Sequence, residues 1–292
     1  MELIGSRCPM CGNNKGRFKL EFRPPNLEQN FRVEDCLACG VSHVNPRPSR
    51  AELHRFFTAA DLFRKSTDPE GRDRSLVRER GRRTREFSRY VRQIKAWQPR
   101  GKVLDAGCGL GLFLELLGPD FDRLGLDLNP FPARFARDRL DFEIRTADVL
   151  EADFPPGSFD LAAIMQTLDH LDQPGLFLRK AAGWVRRGGF LYLAALVNLK
   201  SAMFYLYKDR FRLLHPFHLV YFTPAVLRRH LENLGFRIVR LEFPYFHTQF
   251  FTAREVMGLG KKLVRRVRSR SGSADYSPPF YGNTMNILAI KA

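Results

Sequence analysis

Five cysteines and three aspartates are the residues of this 292-residue chain whose spacing is best suited to chemistry. Four of the cysteines form two near-copies of one turn, Cys8-Pro9-Met10-Cys11-Gly12 and Cys36-Leu37-Ala38-Cys39-Gly40, with 24 residues between Cys11 and Cys36. Each turn can bring two thiolates to one ion, the following glycine taking the backbone angles that close it. Two such turns complete a tetrahedral zinc site with Cys8, Cys11, Cys36 and Cys39 as ligands. Four thiolates leave no open coordination position, so zinc held there is structural rather than catalytic.

The fifth cysteine, Cys108, sits inside Asp105-Ala106-Gly107-Cys108-Gly109-Leu110-Gly111. An apolar pair, Val103-Leu104, runs into this turn, and the helical pattern Leu112–Leu117 leaves it. A buried strand ending in a glycine-rich turn at a helix start suits a ligand that carries a nucleoside. Asp127 follows 22 residues after Asp105, at the end of the next apolar run, where an acidic side chain accepts hydrogen bonds from ribose hydroxyls. Asp148 ends a third run and is placed to accept from an adenine amino group, and Gln166 ends a fourth. A dinucleotide site calls for G-x-G-x-x-G around a pyrophosphate. Glycines at alternate positions behind an acidic residue disfavour a pyrophosphate and favour a ligand bearing an amino group.

The elements that must position these groups follow from hydrophobic periodicity. Strands are predicted at Lys102–Asp105, Arg123–Asp127, Phe142–Thr146, Phe159–Met165 and Phe190–Leu196, with Phe236–Phe243 and Met285–Lys291 as a late edge hairpin. Helical patterns alternate with them at Leu112–Leu117, Pro130–Arg139, Pro174–Val185 and Pro224–Leu234. That alternation predicts an α/β fold, a doubly wound and mostly parallel seven-stranded sheet with helices on both faces. Residues 1–48 are expected to form a small zinc-ribbon-like module, with Phe18–Phe22 and Phe31–Val33 as its ribbon strands. Residues 49–100 are expected to be a helical linker or cap, and 101–292 the nucleoside-binding domain. In the cap, Ser49 and Glu52 make a capping box for a short helix through Phe56-Phe57. The arginine-rich stretch from Arg74 to Trp97 is expected to be a helix covering the sheet edge with its arginine-rich face in solvent, the alternative being an electropositive lip over the ligand site.

Composition sets the outer limits. At 44% hydrophobic residues the chain is long enough for one sizeable core and a small module. No apolar run approaches the ~18 residues of a membrane span, and the basic-then-apolar opening of a secretory signal is absent, so a cytoplasmic location is expected. A formal charge of +17 is compatible with an anionic partner, either RNA or a membrane surface. The segment Lys261–Arg270, six basic residues interleaved with three apolar ones, is the candidate for such contact, while the leading expectation for it is a solvated insertion.

At Asp105, Gly107, Gly109, Gly111, Asp127 and Ala147-Asp148 the chain resembles the class I S-adenosylmethionine-dependent methyltransferases. Phe159-Asp160-Leu161 through Gln166-Thr167-Leu168-Asp169-His170-Leu171 is similar to the family's fourth-strand motif, with Asp169 where Glu is usual. Arg187-Gly188-Gly189-Phe190 is similar to its turn before strand five, lacking only a proline. The resemblance implies that Asp105 and the Gly107–Gly111 backbone hold the methionine end of S-adenosylmethionine. It implies that Asp127 holds the ribose and that Leu128, Asp148 and Val149 frame the adenine, with Cys108 and Gln166 alongside. The paired cysteines followed by Asn45-Pro46-Arg47-Pro48 resemble a bacterial subgroup that carries a small zinc module ahead of the methyltransferase domain.

Methyl transfer from a sulfonium needs an aligned nucleophile and, where the nucleophile carries a proton, a base. His170, and His218 with Tyr221 in the segment His215–Thr223, are the candidates, the latter expected to fold over the cofactor. The leading expectation is methyl transfer to a small molecule or glycan precursor. The alternatives are an rRNA or tRNA methyltransferase and a non-catalytic cofactor-binding scaffold. The absence of an Asn-Pro-Pro-Tyr-type segment after the fourth strand argues against transfer to a nucleobase amino group.

Overall fold

The computed structural model describes residues 1–24, 27–67, 73–246, 248, 251, 253–268 and 276–292. Seven strands form the main sheet: β1 (Gly101–Ala106), β2 (Phe121–Asp127), β3 (Glu143–Thr146), β4 (Phe159–Met165), β5 (Val185–Val197), β6 (Phe236–Glu242) and β7 (Thr284–Lys291). Their order across the sheet is β3-β2-β1-β4-β5-β7-β6. The first five pair in parallel, and β7 runs antiparallel between β5 and β6. The expected seven-stranded, mostly parallel architecture is the one observed. Strand order reverses beside β1, and crevices at such a reversal hold ligands in open α/β sheets.

The eight helices among the described residues are α1 (Arg50–Phe57), α2 (Leu76–Lys95), α3 (Leu112–Leu117), α4 (Pro130–Arg137), α5 (Pro174–Trp184), α6 (Ala202–Tyr207), α7 (Pro224–Asn233) and α8 (Ala253–Arg268). Side chains start five of them. Ser49, Ser75, Asn129, Ser201 and Thr223 accept hydrogen bonds from backbone amides of their first turns. Proline in the first turn fixes φ for α4, α5 and α7 without removing an intrahelical bond. One apolar layer sets α2 and α3 (Phe87, Tyr90, Ile94, Phe113, Leu117) against Val103, Leu161 and Tyr192. The opposite layer sets α5 and α7 (Phe177, Leu178, Leu227, Leu231) against Leu104, Ile164 and Leu193. Continuous apolar runs such as Leu161–Met165 are what burial on both faces requires.

The N-terminal residues form a second, four-stranded antiparallel sheet. Gly16–Phe22 pairs Phe31–Cys36, which pairs Ser42–Val44. The fourth strand, Val220–Tyr221, comes from the far end of the chain and pairs Ser42 and His43. A segment expected as a loop over the cofactor is thus a strand of the N-terminal sheet. Two residues carry no readable period, so the pattern could not announce it. The two cysteine turns are packed into the main core: Cys8, Met10, Cys36, Cys39 and Val41 share the layer of α5 and α7. At Gly175, in the first turn of α5, a Cβ would stand 2.0 Å from the Met10 carbonyl oxygen. Only glycine lets the first cysteine turn lie that close.

The predicted basic helix is part of α8, whose described portion ends at Arg268, and Ser269 and Arg270 lie outside the described residues. No helix among the described residues is long and apolar enough to cross a membrane.

Candidate active site

A cavity of about 280 Å³ opens at the C-terminal ends of β1, β2 and β4. Its floor is made by Gly107, Cys108, Gly109, Asp127, Leu128, Asp148, Val149 and Gln166. Eight of the ten residues assigned to the cofactor from the sequence therefore meet around one space. Asp105 and Gly111 do not line it.

Two glycines explain the shape of the turn. Gly107 has φ of +76°, and a Cβ on it would lie 2.2 Å from Thr167 Oγ1 at the end of β4. Gly111 has φ of +70°, and its Cβ would press on Phe142, Ile144 and Leu140 at 3.0–3.1 Å. Gly111 thus serves the packing of the turn against β3 rather than the cavity. Cys108 fits the same logic, since its sulfur rests on Gly125 of β2. Burial, reinforced by the nearby Asp105 and Asp127, pushes its thiol well up from its usual range.

The two aspartates that flank the turn differ. Asp127 grips it from β2: Oδ2 accepts from the Gly109 amide at 2.9 Å, and Oδ1 accepts from the Asn129 amide at 2.9 Å. Burial raises its carboxyl to about 6, with the two amide bonds opposing that rise. Asp105 is fully buried, and neither carboxylate oxygen has a hydrogen-bond partner. Burial, reinforced by the nearby Asp127, holds its carboxyl well above the usual range. Asp105, which the resemblance placed at the methionine end of the cofactor, is absent from the cavity lining.

Asp148 accepts from the Leu150 amide at 2.8 Å through Oδ1 and from Arg50 Nη2 at 3.0 Å through Oδ2. Gln166 adopts φ of +53°, rare for a residue with a side chain, and its Oε1 accepts from Arg83 Nη2 at 2.9 Å. Such a conformation costs about 1–3 kcal/mol and persists where surrounding contacts enforce it. Here the Gln166 amide donates to the Ala194 carbonyl of β5 at 3.0 Å.

From the sequence, a lip of α2 over the site was only the second reading, behind a solvated arginine face. Leu53, His54 and Phe57 of α1 face the cavity, as do Leu62 and Phe63 of the following turn and Leu76, Arg80, Arg83 and Phe87 of α2. The expectation that the arginines of α2 point to solvent is corrected for two of them. Arg80 pairs with Glu115, Arg83 bonds Gln166, and both line the space. The covering role of α2 holds as well, since Phe87, Tyr90, Val91 and Ile94 are buried on the sheet. Alternating Arg and apolar residues were the available signal, but their direction depends on where β1 and β4 end.

Of the three candidates for acceptor chemistry, only His170 lines the cavity. Its Nδ1–H donates to the Phe217 carbonyl at 2.7 Å, and its ring lies 5.2 Å from that of Phe57. His218 stands behind it, the two ring centroids 4.7 Å apart, with Nδ1–H donating to the Leu213 carbonyl at 2.8 Å. Tyr221 is 1% exposed. Its hydroxyl accepts from the His215 amide at 3.1 Å and donates to the His215 carbonyl at 3.2 Å. Burial pushes its phenol far up, so Tyr221 pins the loop and meets no ligand. The segment 215–223 therefore backs His170 instead of closing over the cavity.

Away from the cavity, the four paired cysteines converge. Their sulfurs lie within 4.8 Å of one another, with Cys8–Cys39 and Cys11–Cys36 at 3.6 Å each. A disulfide needs about 2.05 Å, whereas four sulfurs around one zinc ion stand about 3.8 Å apart. Both turns close alike, Gly12 and Gly40 donating to the Cys8 and Cys36 carbonyls at 2.8 and 2.9 Å. The donor set and spacing fit one tetrahedral thiolate-bound ion, and Arg229 donates to the Cys39 carbonyl beside it.

Comparison with known proteins bears on the cavity-bearing part. A family model described as a methyltransferase domain matches residues 104–193, from β1 into β5. A ubiquinone biosynthesis O-methyltransferase of Xanthomonas campestris pv. campestris is 34% identical over 116 residues, covering 36% of this chain and 46% of that protein. The chain spans about half the length of the curated relatives it matches. A SAM-dependent methyltransferase of Archaeoglobus fulgidus superposes with a TM-score of 0.51 at 23% identity, over 74% of this chain and 99% of that one. A SAM-dependent methyltransferase of Thermotoga maritima, described as a possible histamine N-methyltransferase, gives 0.50 at 17%, over 74% and 94%. At these identities the structures share the fold.

Proposed function

We propose, from the premise that this chain carries a class I S-adenosylmethionine-dependent methyltransferase domain, that it methylates a small hydroxylated molecule held under the α1–α2 roof. The observation that carries the reading is the floor: a carboxylate at the end of β2, a second after β3 and a glycine turn after β1 converge on one cavity. S-adenosylmethionine supplies an electrophilic methyl group on a sulfonium. Asp127 presents a carboxylate already aligned by two amides, with lone pairs left for ribose hydroxyls. Val149 and Leu128 offer apolar faces to a base, with Asp148 beside them. The Gly107–Gly109 backbone comes close to the ligand because no Cβ intervenes. His170 is the side chain that meets the acceptor.

The name of the curated relative supports oxygen as the accepting atom, and the apolar roof supports a small acceptor over a polynucleotide. Glycan precursors remain within that class. The four cysteines hold a structural zinc ion that fixes the two turns against α5 and α7. Its place in the core makes it a scaffold for the sheet face opposite α2.

Titration calorimetry with S-adenosylmethionine tests the cofactor half. Hydrogen bonds from ribose favour ionised Asp127, whose carboxyl is raised to about 6, so affinity rises as pH rises through that value and levels off above it. Asn in place of Asp127 can accept from only one of the two amides and carries no charge. Asp127→Asn is expected to weaken binding about tenfold or more and to flatten the pH dependence. No binding by the wild type at pH 7.5 overturns the reading. Transfer of labelled methyl to phenolic or sugar hydroxyls, absent with RNA, tests the acceptor half.

A further inference from the structure

Behind the cavity wall lies a second convergence of ligand-type side chains, away from the cysteines. Asp169, His170 and His218 each offer one ligand atom, and these atoms lie within 4.8 Å of one another. Asp169 is 2% exposed and its Oδ1 has no hydrogen-bond partner. Leaving a buried carboxylate oxygen unpartnered costs free energy unless a ligand answers it.

The imidazoles are held in a particular way. Both use Nδ1–H to donate to backbone carbonyls of one loop, His170 to Phe217 and His218 to Leu213. That fixes the tautomer and leaves Nε2 of each ring as a lone-pair donor. Imidazoles that ligate metals are commonly oriented through their other nitrogen by such a partner. The Nε2 of His218 faces Asp169 Oδ2 at 3.8 Å. That is too far for an N–H···O hydrogen bond, which spans about 2.7–3.2 Å. Two ligands each about 2.1 Å from one ion stand roughly 3–4 Å apart, which matches. The third ring nearby, His215, is taken up otherwise, its Nδ1 accepting from the Phe217 amide at 3.3 Å.

We propose that Asp169, His170 and His218 form a second metal site, a two-imidazole, one-carboxylate cradle for a divalent transition ion such as Zn²⁺. Two nitrogen donors favour such an ion over Mg²⁺, which takes oxygen ligands. Three protein ligands leave a coordination position open, unlike the four-cysteine site. His170 is the ligand that also lines the cavity, while Asp169 and His218 do not, so the ion sits at the cavity wall beside His170, its open position left for an acceptor. An ion there would bind and polarise an acceptor hydroxyl. The proposal rests on the methyltransferase reading only for that last role, since the site itself stands on geometry.

Chelator-stripped, reduced full-length protein titrated with Co²⁺ tests it. Cobalt at four thiolates gives intense near-ultraviolet sulfur-to-metal charge transfer, and cobalt at nitrogen and oxygen does not. Two equivalents are expected in the wild type, one with that absorption and one without. Asp169→Asn and His218→Gln are expected to weaken the second equivalent about tenfold or more while leaving the thiolate bands intact. X-ray absorption of the doubly loaded wild type needs no variant and is expected to show a nitrogen and oxygen shell beside the sulfur shell. A wild type that stops at one thiolate-bound equivalent overturns the site, as does a second equivalent unaltered in both variants. Absence of S-adenosylmethionine binding would instead sink the methyltransferase reading and leave the metal count standing.

Discussion

The floor and the roof of the cavity face each other and are built on opposite plans. The floor comes from strand ends: Gly107 after β1, Asp127 at the end of β2, Asp148 after β3 and Gln166 after β4. Its carboxylates are anchored by backbone amides, those of Gly109 and Asn129 on Asp127 and that of Leu150 on Asp148. The roof comes from two helices ahead of the sheet in the chain and is mostly apolar, with arginines tethered by side-chain partners. A floor held by backbone has one geometry and suits an invariant ligand, the cofactor. A roof held by side chains can change its lining residue by residue, and so suits the part of the reaction that differs between enzymes.

The largest expected effect falls on the floor. Gly107→Ala forces an L-residue to φ of +76° and drives its Cβ to 2.2 Å from Thr167 Oγ1. Turn and β4 end must separate, so loss of measurable S-adenosylmethionine binding is expected, together with a lowered melting temperature. If the variant binds the cofactor with wild-type affinity, the floor is not the rigid half.

How far the sequence reached follows the same division. Asp127, Asp148 and Gln166 were legible because each ends an apolar run, and the parallel fold brings successive strand ends to one edge. The glycine turn was legible by its alternate spacing. Asp105 ends its run in the same way, yet it is fully buried and outside the cavity lining, and a sequence does not tell which face of a strand end meets the cavity. Helix α2 was located, yet the inward turn of Arg80 and Arg83 was only the second reading of its arginines. That turn needs Glu115 on α3 and Gln166 after β4 as partners, and both contacts form only in the folded chain. The same holds for Asp169 with His218, and for Val220–Tyr221 pairing a strand near the N-terminus.

An intermediate effect is expected at the roof. Phe57 lies on the cavity, against the rings of His170 and Phe217, at 5.2 and 6.2 Å between centroids. Phe57→Ala removes apolar surface from the acceptor side and leaves every floor contact in place. The Michaelis constant for the acceptor is expected to rise about tenfold, reflecting roughly 1.5 kcal/mol of lost apolar contact. The dissociation constant for S-adenosylmethionine should stay within about twofold. A larger shift in cofactor affinity than in acceptor affinity would reverse the assignment of the two halves.

The smallest effect belongs to a joint between them. Arg50 of α1 reaches down to Asp148 and Glu151, with both contacts at 3.0 Å, and its side chain is 53% exposed. Exposed pairs contribute about 0–1 kcal/mol after screening. A second joint is buried: Asn129, 1% exposed, donates to the Phe57 and Ala59 carbonyls at 2.8 and 3.1 Å and caps α4 through Phe131. Because Asn129 already ties the end of α1 to the loop after β2, the roof does not depend on Arg50 for its position. Arg50→Met is therefore expected to change the melting temperature by no more than about 2 °C. Its effect on S-adenosylmethionine affinity should be under about threefold, shrinking further at high salt. An effect as large as that of Phe57→Ala on the acceptor would mean that the exposed ion pair, rather than the buried amide, holds the roof over the floor.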